Sequence, residues 1–312
     1  MNFEPSSLEP LNPWTATFGI TSMINNDNID ILKNSTIIAA HPDDEILWFS
    51  SILDQVDNIQ ICFLNKESKP IMSKGRRKAI AEYPLDNISC LYIDEAEVYN
   101  AQNWDNFEIN KFGMNLNENG IFNLRGMKYI RNHFKYITNY YKLKKNLKKS
   151  LSQYQNVFTH NPWGEYGHEE HVQVYRVVKE LKKEYNFNLW FNNYSSNKSL
   201  NLMAYYLNLL TPEFVSLNTN RTLGKKIMDL YTRNQCWTWY DEWQWADYET
   251  IIKENFLNSK NDKFGEMIPI NFINVKVDNE VLYHKRKKKN VEFIKKKCIN
   301  LLHRFRSLHG LL

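Results

Sequence analysis

Two short stretches of the sequence hold acidic and histidine side chains at spacings that suit metal chemistry. They are His41–Glu45, which reads HPDDE, and Tyr166–His171, which reads YGHEEH. In the first, His41 and Asp44 are three residues apart across a turn, so an imidazole nitrogen and a carboxylate oxygen could bind one Zn²⁺ at about 2.0–2.2 Å. Asp43 would stay unbound beside the metal, where a general base can take a proton from water.

The first stretch also has an interpretation without a metal. Asp43 and Asp44 stand where a helix is expected to begin, and carboxylates are favoured at helix N-termini as caps and as partners of the helix dipole. This stretch alone leaves metal binding and helix capping equally open.

The second stretch supplies the complementary half of a metal site. His168 and His171 are one helical turn apart, so both can face one cavity. One of them could complete a His, Asp, His set with an open position for water and substrate, as catalytic zinc requires. The other, as an imidazolium, could stabilise an oxyanion. A lone HxxH pair is common on protein surfaces, but two half-sites that each follow a predicted strand favour one shared site.

The elements around these stretches predict a parallel sheet wrapped by helices. Strands are expected at Ser35–Ala40, Asn58–Leu64, Ile88–Ile93, Asn156–Thr159 and Asn188–Phe191. Helices are expected between them at Glu45–Leu53, Lys74–Tyr83, Met127–Tyr141 and Val174–Tyr185. Alternation of this kind indicates a Rossmann-like α/β fold, in which sites lie at the carboxyl ends of the strands.

We predict three parts along the chain. Residues 1–33 form an N-terminal extension, residues 34–195 the catalytic core, and residues 196–312 a C-terminal elaboration of the same domain. The elaboration is expected to contain a strand near Phe214–Leu217 and a helix over Gly224–Tyr231. The Asn- and Asp-rich residues Asp94–Gly120 predict a long irregular insertion, which in a compact domain is more often functional than idle.

On these motifs the sequence resembles the PIG-L/LmbE family of zinc-dependent de-N-acetylases. The family motif HPDDE is matched in full, and YGHEEH corresponds to the YGHPDH of its mycothiol-type members. The resemblance extends over roughly the first 195 residues. The chain departs from the motif at Glu169 and Glu170, which replace Pro and Asp and are not ligands in the family.

The resemblance implies a role for each motif residue. His41, Asp44 and His171 would bind Zn²⁺, and Asp43 would be the general base. His168 would be the charged stabiliser or acid, and Tyr166 a hydrogen-bond donor to the oxyanion. The implied reaction is hydrolysis of the acetamide of an N-acetylated amino sugar, an N-acetylglucosamine-type conjugate, to acetate and the free amine.

Four further residues outside the motifs are assigned on less specific signals. Asp94 follows the third predicted strand, where the family often has an aspartate that binds a sugar hydroxyl; a turn-forming role is equally open. Arg76 and Arg77 lie near the substrate-contacting arginine of the family. We assign Arg77 to the substrate, with at least one of the two on a solvated helix face. His160 is expected to be a structural histidine.

Two segments of the C-terminal part carry alternatives. The aromatic cluster Trp237–Trp245 is either a platform for sugar rings or part of the core. The basic segment Lys285–Lys297 with the apolar stripe Ile294–Leu308 is either a packed amphipathic helix or a peripheral contact with an anionic membrane or glycolipid.

Composition sets the outer limits of these interpretations. The 312 residues carry a net charge of +5, 43% hydrophobic residues and four widely spaced cysteines. We therefore expect a globular protein with reduced thiols, either cytoplasmic or peripheral to a membrane. A nucleic-acid partner is not expected at this charge.

The alternative to an enzyme is a carbohydrate- or glycolipid-binding protein without turnover. Sequence alone predicts neither the aglycone nor the oligomeric state.

Overall fold

A seven-stranded sheet forms the centre of the computed structural model, which describes residues 30–116, 124–211, 213–257 and 267–275. The strands are β1 Ser35–Ala39, β2 Asn58–Asn65, β3 Ile88–Asp94, β4 Ile109–Asn110, β5 Gly113–Met114, β6 Asn156–Thr159, β7 Asn188–Asn192, β8 Tyr194–Ser196, β9 Phe214–Asn218, β10 Tyr248–Lys253 and β11 Asn271–Ile273. The helices are α1 Asp44–Trp48, α2 Pro70–Ala81, α3 Leu124–Leu151, α4 Glu169–Tyr185, α5 Leu200–Leu207 and α6 Arg221–Arg233.

The order of strands in the sheet creates a crevice next to β1. The order is β3-β2-β1-β6-β7-β10-β9, and the first five strands in it are parallel. The chain leaves β1 toward β2 and β3 and later returns to the other side of β1 as β6. Open α/β sheets bind ligands at such a reversal, outside the carboxyl ends of the strands. The predicted Rossmann-like sheet is confirmed.

Both faces of the sheet are covered, which explains why its central strands are apolar throughout. All five residues of β1 are buried. Ile37 packs with residues of α1, α2 and α6 on one face, whereas its neighbour Ile38 packs with residues of α3 and α4 on the other. Strands buried on both faces carry nearly continuous runs of β-branched and apolar residues.

The C-terminal part extends the same sheet. The predicted strand near Phe214–Leu217 is β9, and the predicted helix over Gly224–Tyr231 lies within α6. Strand β10 lies between β7 and β9 and is antiparallel to both. The domain boundaries at residues 33 and 195 stay predictions, and the basic segment after Lys285 lies outside the described residues. Among the residues that the structure describes, no helix has both the length and the apolar character needed to cross a membrane.

The predicted insertion between β3 and α3 contains little regular secondary structure, as expected. Its described part contains a 3₁₀ turn at Trp104–Asn106 and the two-stranded hairpin of β4 and β5. Trp104 and Met114 pack with Val172 of α4 in one apolar cluster. The insertion is therefore anchored on α4, the helix that begins at the second motif.

Gly75 provides a test of the packing between α2 and the end of α6. A Cβ atom there would lie 1.9 Å from the carbonyl oxygen of Asn234. In an open helix Gly→Ala stabilises by about 0.5–1 kcal/mol, but here the added methyl forces backbone apart. We expect Gly75→Ala to lower the free energy of unfolding by about 1–3 kcal/mol, measured by urea denaturation. Lys74→Ala, on the exposed face of the same helix, should change it by less than about 0.5 kcal/mol. A Gly75→Ala variant as stable as the parent would contradict this packing.

Candidate metal centre and active site

The two sequence motifs meet at the crevice beside β1. His41 follows β1, and His171 lies in the first turn of α4, the helix that follows β6. Because β1 and β6 are neighbours in the sheet, their carboxyl ends bring both motifs to one cavity of about 380 Å³. His41, Asp43, Asp44, Tyr166 and His168 line this cavity, and His171 is buried behind it. The predicted convergence of the two stretches is therefore observed.

The HPDDE loop adopts a tight, strained turn. Asp43 has a φ of 105°, a left-handed value that few residues other than glycine adopt. Its backbone N–H donates to the Glu45 carboxylate at 3.0 Å. The His41 N–H donates to Asp44 Oδ2 at 2.7 Å. These two hydrogen bonds hold the strained backbone and aim Asp44 at the imidazole of His41.

Three side chains of the predicted ligand set converge on one carboxylate oxygen. Asp44 Oδ2 lies 3.1 Å from His41 Nδ1 and 3.2 Å from His171 Nε2. His171 Nε2 is buried and makes no hydrogen bond to any residue that the structure describes. A buried polar atom without a partner is costly unless something else binds it. A cation between these donor atoms would satisfy all three.

The remaining nitrogen of each of these imidazoles contacts a second carboxylate. His41 Nε2 lies 3.1 Å from Glu170 Oε2, and His171 Nδ1 lies 2.7 Å from Glu165 Oε2. Ligating histidines in proteins almost always donate their second N–H to such an acceptor, which fixes the tautomer and raises the basicity of the ligand nitrogen. Nδ1 of His41 and Nε2 of His171 are therefore the nitrogens available to a metal.

Other residues nearby could also contribute ligand atoms. Within the described residues, donor atoms come within 4.8 Å of one another in the sets His41–His168–His171, Asp44–His160–His171 and His41–Glu95–Glu170. His160 is already satisfied, because its Nε2 accepts from Ala40 N at 2.8 Å and its Nδ1 lies 3.1 Å from Glu165. This agrees with the structural role expected for His160.

The electrostatics of the cavity favour a bound cation. Burial alone would lower the pKa of His41, but Glu95, Asp44 and Glu170 raise it to about 10. For His171, burial likewise lowers the pKa, and Asp44 and Glu165 raise it to about 9. Carboxylates thus hold positive charge on imidazoles that burial would leave neutral. Two imidazole nitrogens and one carboxylate oxygen are a donor set that suits Zn²⁺.

Asp43 has the environment of a base rather than of a helix cap. Its side chain makes no capping hydrogen bond to α1, and its Oδ2 instead accepts from the backbone N–H of Thr238 at 3.2 Å and from the Thr238 hydroxyl. Burial, followed by the charge of Asp44, raises the pKa of Asp43 to about 7. A carboxylate with this pKa can both accept and release a proton near neutral pH.

His168 differs from the imidazolium that was expected. It caps α4, and its Nδ1 accepts from the backbone N–H of Glu170 at 3.2 Å. Burial, with His171 and His41 nearby, holds the pKa of His168 well below its usual range. A lowered pKa favours the neutral ring, and because Nδ1 accepts a hydrogen bond, Nε2 is the nitrogen that can carry the proton and donate. Tyr99 stacks on it with ring centroids 5.0 Å apart.

Two predicted substrate residues lie outside the cavity lining. Arg77 is exposed on α2, whereas Arg76 is buried, lines the cavity and pairs with Glu95. Asp94 is also exposed and accepts a hydrogen bond from Asn65. The positive φ of Tyr92 and the irregular register between β2 and β3 interrupt the alternation of β3. For that reason the acid that faces the cavity is Glu95.

Several residues of the site had no role predicted from the sequence. Glu45 accepts from the hydroxyls of Tyr83 and Tyr231 at 3.1 and 2.6 Å, which ties the HPDDE loop to α6. Glu165 binds two histidines, and its position six residues before His171 was the available signal. No sequence signal pointed to Thr238, because it is 195 residues from Asp43 in the chain.

The two residues at which the second motif departs from the family both hold the insertion. Glu170 Oε1 accepts from Ala96 N, while Oε2 of the same side chain contacts His41. Glu169 accepts from Asn100 N, Gln102 N and Trp104 Nε1 at 3.0–3.2 Å. These acids therefore fix the segment that presents Tyr99 to the cavity.

The aromatic cluster is divided between the cavity wall and the core, and its role as a platform for sugar rings stays a prediction. Trp239 and Tyr240 line the cavity, and Trp239 lies 4.6 Å from Tyr166 between ring centroids. Trp245 is buried and donates to the carbonyl of Ile46 at 2.6 Å. One end of the cluster therefore forms part of the cavity wall, and the other end belongs to the hydrophobic core.

Residues 36–182 match the family model described as GlcNAc-PI de-N-acetylase, PIG-L. No curated protein matches the chain. Among solved structures, a teicoplanin deacetylase in complex with teicoplanin is 11% identical, with a TM-score of 0.38, and the match covers 70% of this chain and 97% of that one. The zinc-inhibited form of a teicoplanin deacetylase is 13% identical, with a TM-score of 0.40 and the same coverage. An antimicrobial pseudoaglycone deacetylase is 13% identical, with a TM-score of 0.39, and the match covers 70% of this chain and 95% of that one.

The contact between Glu165 and His171 predicts a loss of metal affinity on substitution. Glu165→Gln removes the charge that orients His171, so we expect zinc affinity to fall by about 10- to 100-fold. Competition with a chromogenic chelator measures it. Glu180→Gln, on the outer part of α4, should bind zinc as the parent does. Unchanged affinity in folded Glu165→Gln would exclude His171 as a ligand oriented by this acid.

Proposed function

We propose that the chain, whose residues 36–182 match the PIG-L family model, is a zinc-dependent hydrolase that removes acetyl from an N-acetylated amino sugar. The substrate class is an N-acetylglucosamine-type conjugate, and the products are acetate and the free amine. His41, Asp44 and His171 hold the metal. Asp43, His168 and Tyr166 act on the acetamide.

The observation that carries this proposal is the convergence of two imidazole nitrogens on one oxygen of Asp44, at a point where His171 Nε2 makes no hydrogen bond to the described residues. This nitrogen is buried and faces Asp44 Oδ2 at 3.2 Å, while the same oxygen lies 3.1 Å from His41 Nδ1. Each histidine is also fixed from behind by its own carboxylate. Two imidazole nitrogens and one carboxylate oxygen that converge at a single point offer a divalent metal three ligand atoms, and the open cavity beside them leaves room for water and substrate.

The metal, when bound, supplies Lewis acidity, which polarises the acetamide carbonyl and makes a neighbouring water more acidic. Asp43 accepts the proton of the attacking water. Thr238 fixes the Asp43 carboxylate through two hydrogen bonds, which leaves its other oxygen, Oδ1, for proton transfer. The same carboxyl group then returns the proton to the departing amine nitrogen.

Tyr166 and His168 stand beside the cavity as hydrogen-bond donors to the developing oxyanion. Their ring centroids lie 5.7 Å apart, and both side chains line the cavity. His168 donates from Nε2, because its Nδ1 is occupied by the Glu170 N–H. Neutral donors fixed before the reaction stabilise the oxyanion without a reorganisation cost at the transition state.

The two histidines of the second motif should respond differently to removal. His171→Ala deletes a proposed ligand, so we expect it to lose zinc. His168→Ala deletes an oxyanion donor, so it should keep zinc and lose about 10²–10³-fold in turnover. Atomic emission of dialysed protein measures the metal, and acetate release measures the rate. Equal metal content in the two variants would contradict the assignment.

Acetate release tests the proposed reaction directly. Zinc-loaded protein is incubated with N-acetylglucosamine and with N-acetylglucosamine glycosides of several aglycones, with and without a chelator. We expect release from at least one glycoside, its loss on chelation and its recovery when zinc is restored. The absence of release from all of them, with zinc bound, would favour a carbohydrate-binding protein without turnover.

A further inference from the structure

A second cavity of about 560 Å³ opens directly beside the metal cavity. The two share the lining residues Lys69, Met72, Thr238 and Trp239. The second cavity, called here the outer groove, lies between the first turn of α2, with Ile71, and the segment Gln235–Trp239 after α6. Ligand that leaves the metal cavity over this shared boundary enters the outer groove.

The outer groove is preformed, because hydrogen bonds fix the backbone of one wall. Cys236 N donates to Tyr231 O at 3.0 Å, and Trp237 Nε1 donates to Tyr240 O at 3.3 Å. Between the two tryptophans, Thr238 is bonded to Asp43. A wall that is ordered before binding reduces the entropy cost of binding a ligand.

The chemistry of the outer groove differs from that of the metal cavity. Asp43, Asp44 and Glu95 line the metal cavity, whereas the described lining of the outer groove contains no carboxylate. Its walls are apolar and aromatic, with Trp237 on one side and Ile71, 71% exposed, on the other. Hydrogen-bonding groups come from Ser68, Gln235 and Lys69.

We propose that the outer groove binds the ring that is glycosidically linked to the N-acetylated sugar, with this second ring packed against Trp237. An indole offers an apolar face beside a polar edge. A pyranose or cyclitol ring has the matching form, with C–H groups on its face and hydroxyls on its edge. This inference rests on the proposed function, since the first ring is placed by its acetamide at the metal donors.

The occupant is a ring rather than an alkyl chain because the outer groove has both apolar walls and hydrogen-bonding side chains. An alkyl chain would gain nothing from the ammonium of Lys69 or the amide of Gln235, whereas ring hydroxyls can bond to both. Ile71 and Lys69 lie within residues 36–182, whereas Trp237 and Gln235 lie beyond them, so the outer groove joins the family-matched part of the chain to the C-terminal elaboration.

Calorimetry with a turnover-blocked protein tests the assignment. Asp43→Asn removes the base, and Asn tolerates the left-handed backbone at this position. The probes are N-acetylglucosamine, N,N′-diacetylchitobiose and octyl N-acetylglucosaminide, each titrated into the zinc-loaded variant. We expect the two-ring probe to bind about five- to tenfold more tightly than the monosaccharide, as expected for one added aromatic contact. The octyl probe should gain less than the two-ring probe.

Substitutions in the outer groove should abolish the preference for two rings. With Trp237→Ala added, N-acetylglucosamine and the two-ring probe are expected to bind within about twofold of each other. Ile71→Asp, at a position whose side chain is 71% exposed, should also reduce the ratio, and a urea denaturation curve checks that the variant folds as the parent does. Phe134→Ala removes an aromatic ring that is 66% exposed and lines neither cavity, so it should leave the ratio unchanged.

Three results would overturn the inference: equal affinity for one and two rings, a ratio that survives both groove substitutions, or a Trp237-dependent gain for the octyl probe as large as that for the second ring. The proposed function fails separately. If the wild-type protein releases no acetate while the Trp237-dependent preference holds, the groove assignment stands and the hydrolase assignment falls.

Discussion

Buried negative charge is the constraint on which the rest of this site depends. Asp44, Glu165 and Glu170 are each less than 3% exposed and all contact histidines. Burying an ionised carboxylate without a partner is costly, and removing one partner from a buried set leaves the others uncompensated. The imidazoles supply part of the compensation, and Arg76 supplies more through its pair with Glu95. A divalent cation at the shared oxygen of Asp44 would replace the positive charge of the imidazolium rings, because imidazoles bind metals in their neutral form.

This constraint explains why the first motif contains three acids with three different environments. Asp44 faces the histidines, Asp43 is turned toward Thr238, and Glu45 lies beneath the loop and bonds to the Asp43 N–H, Tyr83 and Tyr231. Burial raises the pKa of Glu45 to about 8. The third acid therefore touches none of the proposed reacting atoms; it stabilises a backbone conformation that Asp43 would not adopt unaided.

The C-terminal part completes the site rather than merely extending the sheet. Thr238 holds the proposed base, Tyr231 holds Glu45, and Trp239 packs against Tyr166. Gly75 allows α2 to approach the end of α6 closely, which places the segment after α6 at the cavity. Although the family match ends at residue 182, the base and one wall of the cavity depend on residues some fifty positions later.

The five parallel strands, the helices between them and the meeting of the two motifs were predictable from the sequence, whereas β10 and α5 were not predicted. Apolar runs and helical spacing depend on local patterns, and the carboxyl ends of neighbouring parallel strands necessarily share one edge. The packing of the folded chain sets which of two adjacent residues faces the cavity. Arg76 rather than Arg77 lies inside because of how α2 is rotated on the sheet, and Glu95 rather than Asp94 does so because β3 is irregular at Tyr92. It also decided the partners of Asp43 and the protonation of His168, because burial and contacts between distant residues set both, and neither can be seen in local spacing.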